Sequence, residues 1–388
     1  MIATITVSIA VLGLLLLGML SLQIFTGSRE KKLGKHRSAS AGMADLLNYA
    51  ALVADGVILG KNGSLMAAWL YQGEDNASST ERQREMISFR LNQALAGLGT
   101  GWMLHVDAVR RPAPGYADKG ASHFPDPVTA AIDEERRRLF QNLDTMYEGY
   151  FVLTLTYFPP MLAQSKFVEL MFDDDELAPD HTQRSAGILE KFQRDCAGIE
   201  ARLSAAIKLE RLRGRKMMTE HGAAVTHDDF LRWLQFCVTG INQPLQLPDN
   251  PIYLDALIGG QELHAGVVPK IGRKFIQVVA IEGFPMESYP GILSVLAELP
   301  CEYRWSSRFI FMDTHEAVQH LEKFRKKWKQ KVRGLVDQMF NTNNGMINQD
   351  ALSMVGDAEA AIAEVSSGMV AQGYYTSVVV LMDKNRDA

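Results

Sequence analysis

No charged side chain occurs between Ile2 and Phe25, and Leu, Ile, Val and Met dominate that stretch. The next dozen residues carry Arg29, Lys31, Lys32, Lys35 and Arg37 against a single Glu30. At about 1.5 Å per helical residue, such a run can cross a hydrocarbon core of about 30 Å. Basic flanks are retained on the cytoplasmic side, which would leave the bulk of the chain there. A cleavable signal peptide would place its positive charge before the apolar run and a small-residue cleavage site after it. Here the charge follows, and no such site is present. Residues 1–28 therefore read as a single-pass membrane anchor and 29–43 as a basic cytoplasmic linker. The polar Thr4, Thr6, Ser8 and Gln23 leave a buried soluble helix as the alternative.

The remaining chain is long enough for two or three cores. No second apolar stretch approaches spanning length; the longest later run, Val378 to Met382, suits a buried strand. A formal charge of −5 gives no global attraction to nucleic acid, so such binding would need a local patch. Cys196, Cys237 and Cys301 lack C-x-x-C spacing, which points to a reducing compartment and to buried structural thiols.

Hydropathy patterning divides the body into a small α+β module at 44–115 and a mixed α+β domain at 116–388. In the first, Val57-Ile58-Leu59 and Leu65 to Tyr71 flank Lys61-Asn62-Gly63, the composition of a type I′ hairpin. An amphipathic helix from Glu81 to Leu98 and a strand from Trp102 to Val109 follow. In the second, a Pro- and Gly-rich loop from Arg111 to Pro127 leads to a helix reaching Tyr147 and a strand from Tyr150 to Tyr157. A helical insertion is expected near 185–240, built from Ser185 to Leu212 and from Thr226 to Val238 with Thr226 as its N-cap. Strands at Ile276–Ile281, Phe309–Met312 and Val378–Met382 alternate with helices at Tyr289–Leu299, Leu321–Met339 and Asp357–Ala371. The expected fold class is α+β: an N-terminal transmembrane helix, a small β-rich module, then an α+β domain with helices on one face of its sheet.

Few residues assemble into chemistry. A phosphate-binding loop needs G-x-x-x-x-G-K-[ST], and Gly60-Lys61-Asn62-Gly63-Ser64 has the wrong order. The strands ending at Asp313 and Asp383 match the magnesium-binding strand of nucleotide hydrolases only weakly. His315 and His320 lie five apart, about 140° around a helix, and cannot share a tetrahedral metal. The acidic Asp173 to Glu176 lacks calcium-loop spacing and reads as a solvated turn. No nucleophile elbow is present. One charge cluster stands out: Lys323, Arg325, Lys326, Lys327, Lys329, Lys331 and Arg333 share a helix with Leu321, Phe324, Trp328 and Val332. It reads as a solvated basic face, or as a contact for an acidic surface, partner or nucleic-acid phosphate. A second basic run, Lys208 to Lys216, suits the C-terminal dipole of the preceding helix.

Several short stretches follow one another in order: Leu46-Leu47-Asn48-Tyr49-Ala50 through Asp55-Gly56-Val57, Asn62-Gly63-Ser64, Leu91-Asn92, Gly99-Thr100-Gly101-Trp102 and Phe124-Pro125-Asp126-Pro127. Asp133-Glu134-Glu135-Arg136, Tyr150-Phe151, Thr154 to Tyr157, Pro159-Pro160, Ile281 to Pro285 and Arg304-Trp305 continue the series. Together they resemble the N-terminal region of the TrbE/CagE/VirB family of type IV secretion (conjugal-transfer) ATPases, on its TrbE branch. The resemblance implies a module, single-pass in a bacterial inner membrane, that docks a secretion motor to the membrane complex and neighbouring subunits, and that self-associates. ATP and magnesium belong to the P-loop motor domain of complete members; this sequence has no P-loop and ends at Ala388, so no cofactor is expected in the chain itself. The alternatives are a nucleotide-binding ATPase component acting with a partner, and a membrane-tethered nucleic-acid binder.

Overall fold

Apolar residues fall on both faces of the strand that follows the first hairpin, and that double burial dictates the architecture. The computed structural model describes residues 42–386 except 75–77, 144, 161–178, 219–221, 223, 249–251, 284–288, 290 and 333–348. A short helix α1 (Met43–Leu46) precedes strands β1 (Ala51–Ala54), β2 (Val57–Leu59) and β3 (Leu65–Gln72). Then come α2 (Glu81–Leu95), β4 (Trp102–Pro112), α3 (Pro127–Gln141), β5 (Tyr147–Tyr157) and α4 (Pro179–Leu203). Three short strands, β6 (Lys208–Arg211), β7 (Gly214–Met218) and β8 (Ala224–Asp228), lead to α5 (Asp229–Thr239) and α6 (Leu254–Ile258). The chain continues through β9 (Leu263–His264), β10 (Lys270–Ile271), β11 (Lys274–Ile281) and β12 (Tyr303–Phe311). Helices α7 (Thr314–Val332) and α8 (Gln349–Ser366) precede β13 (Gly373–Asp383).

Among the described residues, eleven strands form one sheet in the order β1-β2-β3-β5-β4-β12-β13-β11-β10-β9, with β6 beside β3. Its pairings are antiparallel. Successive side chains point to opposite faces, so Leu65, Ala67 and Trp69 of β3 join one core while Met66, Ala68 and Leu70 join the other. The first core is closed by Phe192, Cys196, Ile199 and Leu203, spaced three and four apart along α4. The second is closed by Phe230, Leu231, Trp233, Leu234 and Phe236 of α5 and by Leu254 and Ile258 of α6. Local chemistry agrees with these bounds. The Asp228 carboxylate accepts from the Leu231 N–H at 2.8 Å to start α5, and Gly240, at φ 68°, stops it. Trp69 donates its indole N–H to Glu200 of α4 at 2.9 Å, while the Arg211 guanidinium lies 4.6 Å over its ring.

One charged pair is built into the second face. Arg304 of β12 donates to Asp107 of β4 at 2.8 Å, and the Asp107 side chain is 5% exposed. Burial opposes the Arg304 charge, but Cys237 and Asp107 outweigh it and raise its pKa. Burial likewise pushes the Cys237 thiol up to about 12, beyond what Arg304 offsets. His105, on the same strand face as Asp107, is held below its ordinary value by burial, with Arg308 and Arg304 acting in the same direction against Asp107. All three cysteines are free thiols.

The structure corrects the expected fold class. Among the described residues no helix is long and apolar enough to cross a membrane. The Ile2–Phe25 segment, and with it Arg29, Lys31, Lys32, Lys35 and Arg37, lies outside the described residues. Over the described residues the fold is mixed α+β on a large antiparallel sheet, with no helix that could serve as the expected transmembrane anchor or carry the expected single-pass placement. Nor is the β-rich start a separate layer. β3 pairs with β5, and β4 lies between β5 and β12, because a central strand needs hydrogen-bonding neighbours on both edges. Helices cover both faces of this part of the sheet, not one.

Some elements also differ locally. The long helix ends at Leu203, and Lys208–Arg211 is strand β6, filling the outer edge of β3 that the three-residue β2 leaves open. The basic run Lys208 to Lys216 is thus divided between β6 and β7 and caps no helix. Thr226 lies within β8, and the cap of α5 is Asp228. Between Tyr289 and Leu299 the described residues make only a 3₁₀ turn at Ser294–Glu298, after Gly291 at φ 88°.

Two substitutions test this account. Phe192→Ala, at a fully buried site, is expected to cost about 3–5 kcal/mol in urea unfolding, whereas Phe324→Ala on the exposed flank of α7 should cost well under that. Asp107→Ala strands the Arg304 charge and should cost about 3–5 kcal/mol by the same measurement.

Candidate functional site

Helix α7 starts where strand β12 leaves the sheet, and its root is fixed by a reciprocal turn. The Asp313 carboxylate accepts from the Thr100 N–H at 2.9 Å, and the Asp313 N–H donates to the Thr100 hydroxyl at 3.0 Å. That hydroxyl in turn donates to Glu316 at 3.0 Å. A side chain at Gly99 would collide with the Asp313 carboxylate, and Gly101 adopts φ 94° with its Cα side against the Phe158 carbonyl. The Gly99-Thr100-Gly101 string is therefore a joint between β4 and α7, and Asp313 serves that joint.

From this root α7 and α8 run antiparallel as a two-helix arm. Met312, Ala317 and Val365 form its small core, with Val318, Leu321 and Val370 around them. The two helices carry opposite charge. α7 holds six Lys or Arg against two Glu, whereas α8 holds four acidic residues and no Lys or Arg. Arg325 bridges them, reaching Glu359 at 3.6 Å and its own helix's Glu322 at 3.9 Å. Lys326 lies 3.7 Å from Glu322, and Lys331 sits 4.6 Å over the Trp328 ring. Lys323, Lys327 and Lys329 are exposed and form no ion pair among the described residues. The structure thus brings six members of the expected cluster onto one helix; Arg333 lies outside the described residues. The apolar stripe of α7 is only partly covered, since Phe324 is 46% exposed beside His320.

The hairpin loop that invited comparison with a phosphate cradle spends its N–H groups internally. Gly60 donates to the Ser64 carbonyl, Lys61 to the Asn48 carbonyl and Asn62 to the Asn48 side chain. Gly63 donates to the Gly60 carbonyl and Ser64 to the Asn62 side chain. Lys61 is itself held by Asp255 at 2.6 Å and by the Ala44 carbonyl at 2.9 Å. A phosphate cradle needs free converging N–H groups, and this loop has none. Five residues separate the paired Leu59 and Leu65, so the connection is longer than a two-residue type I′ turn.

Sequence reasoning missed a cavity of about 340 Å³ on the α5 face. Tyr150, Trp233 and Phe236 supply its apolar wall, and Arg111, Arg215 and Arg232 reach it from β4, β7 and α5. Arg111 is paired with Glu148 at 2.5 Å, and Arg215 with Asp229 and with Glu210 at 2.7 Å. Arg232 donates to Asn242 at 2.7 Å. No local sequence signal points to the cavity, because its arginines come from three separate elements. His315 and His320 do not converge: His315 meets Gln319 at 2.8 Å, and His320 packs on Phe324 and Tyr374. Among the described residues no group of three or more His, Cys, Asp or Glu is placed to hold a metal ion. Asp173 to Glu176 lies outside those residues.

Residues 56–165 match the family model described as the N-terminal domain of the type IV secretion system ATPase VirB4/TrbE. Residues 216–388 match that of the CagE, TrbE, VirB family, a component of type IV transporter systems. The chain is 43% identical over 352 residues to a conjugal transfer protein TrbE of Rhizobium radiobacter, covering 90% of the chain and 42% of that protein. Sinorhizobium fredii (strain NBRC 101917 / NGR234) has two proteins named as successive pieces of a probable conjugal transfer protein TrbE. The chain is 45% identical to the first piece over 127 residues, covering 33% of the chain and 85% of that protein. It is 46% identical to the second piece over 198 residues, covering 51% of the chain and 30% of that protein. The chain spans less than half the length of the Rhizobium relative, and within that span both family signatures follow in order. It belongs to the VirB4/TrbE family of conjugal-transfer, type IV secretion ATPases.

Proposed function

We propose that this polypeptide is a docking and assembly module of a conjugal-transfer secretion ATPase, holding the motor against neighbouring subunits of the secretion machine. The observation that carries this reading is the charge-segregated arm: Lys323, Lys327 and Lys329 project from α7 without carboxylate partners among the described residues. An uncompensated basic face on a helix rooted in the sheet suits an acidic protein surface, because such complementarity sets orientation and speeds encounter. The aromatic residues of α7 are already engaged, Phe324 with His320 and Trp328 under Lys331, which favours a protein partner over base stacking by nucleic acid. ATP and magnesium are assigned to the motor domain of complete relatives and not to this region, a reading supported by the internally satisfied Gly60–Ser64 loop.

Replacing Lys323, Lys327 and Lys329 together by Glu should lower conjugal transfer about tenfold or more, equivalent to ~1.4 kcal/mol of lost contact, with an unchanged thermal melt. Transfer at the wild-type level would refute the docking role of this face. Loss of DNA retention by the same variant in a filter assay would instead identify the face as a nucleic-acid site. Equilibrium dialysis of the purified chain against ATP and magnesium should give no saturable uptake; micromolar saturation would overturn the assignment of nucleotide to the motor.

A further inference from the structure

The two outer flanks of the sheet are finished differently. On β3, β2 covers only Leu65 and Met66, and β6 then fills Trp69 to Gln72. On β11, β10 pairs with Lys274 and Phe275, and the Ile276 N–H reaches the Pro269 carbonyl at 2.9 Å. Beyond that point β11 stays paired to β13 without a bulge as far as Ile281, yet no described strand lies along its other edge. Ile276 directs its N–H outward, so by strand alternation Val278 and Ala280 also present N–H and C=O outward. Those four groups form no hydrogen bond among the described residues. Side chains on both faces are bare as well: Val278, Val279 and Ile281 are 55%, 49% and 41% exposed. The devices that normally blunt an edge are missing from Phe275 to Ile281, which contains no Lys, Pro or bulge.

We infer that β11 is a pairing edge whose occupant is β11 of a second copy of this chain, laid antiparallel about a two-fold axis at Val279. In that register Val278 faces Ala280 of the second copy, and the outward groups exchange four backbone hydrogen bonds. Gln277 meets Ile281, and the paired stretch stops short of Ile276, whose outward N–H is already taken by Pro269, so no like charges oppose each other. The occupant must be apolar on both faces and uncharged. β11 meets that requirement, whereas a strand like β6, Lys-Leu-Glu-Arg, does not. The contact goes beyond the docking role proposed above and does not involve the α7 arm, so the Lys323/Lys327/Lys329 variant should retain it.

Cysteine cross-linking reads the register directly. Opposed residues of a non-hydrogen-bonded antiparallel pair have Cα atoms about 4.5 Å apart, within disulfide reach. Val279→Cys should therefore give a disulfide-linked pair under mild oxidation, while Val278→Cys and the wild type, with its three native thiols, should not. By sedimentation the wild type should run as two copies, and both Val279→Lys and Ala280→Pro as one, with unchanged circular dichroism. The inference fails if the wild type stays single up to about 0.1 mM. It fails equally if both variants remain paired, or if the two cysteine variants cross-link alike.

Discussion

The middles of β3 and β5 are buried on both faces, and their backbone groups can be satisfied only by one another and by the strands at their flanks. Leu155 and Trp69 on one side and Val152 and Ala68 on the other are essentially inaccessible, so each face demands its own cover. That demand explains why α4 lies across one face and α5 with α6 across the other, although the helices are far apart in the chain. It also explains how charge is accommodated beside the second core. Asp107 is tolerated on β4 because Arg304 arrives on the adjacent strand at hydrogen-bonding distance. The sheet is thus both the core and the ruler against which everything else is set.

The arm depends on that ruler. α7 emerges from β12, and its first turn is tied to the β4 leader through Thr100 and Asp313, so its direction is inherited from a central strand pair. A second tether, from the Asn92 side chain to the Met369 carbonyl at 2.6 Å, links the return of the arm to α2. The residues tying the arm down come from the Gly-Thr-Gly segment shared with the family resemblance. This gives those glycines a packing reason: one faces a carboxylate, the other a carbonyl. A basic helix held at both ends of its root presents charge in a fixed direction, which a flexible basic tail cannot do.

Strong local signals were legible in the sequence. The apolar run from Leu65 to Tyr71, the helix after Thr80, the Asp126-Pro127 start and the Gly240 stop all appear where composition places them. So did the basic cluster on α7 and the family itself. Elements whose conformation is settled by distant partners were not legible. Lys208–Arg211 continues a helical pattern, yet becomes strand because half of β3's edge stands open. Asp107 and Arg304 look like surface charges until β4 and β12 are seen side by side. The arginines of the α5 cavity come from three elements that only the fold brings together. Short pieces such as β9 and β10 carry too few residues for any periodicity to register.

The pairing of β4 with β12 joins residues about 200 positions apart in the chain. At about 5–20 residues per second of synthesis, β4 would emerge some 10–40 s before its neighbour. During that interval Trp102 to Pro112 has β5 on one side and an unpaired edge on the other. Nascent chains of this protein would thus pass through a long-lived half-sheet, a state prone to sticking to whatever strand arrives first. Closure of the sheet is a late event on the ribosome, and until then the open edge of β4 is exposed to intermolecular pairing.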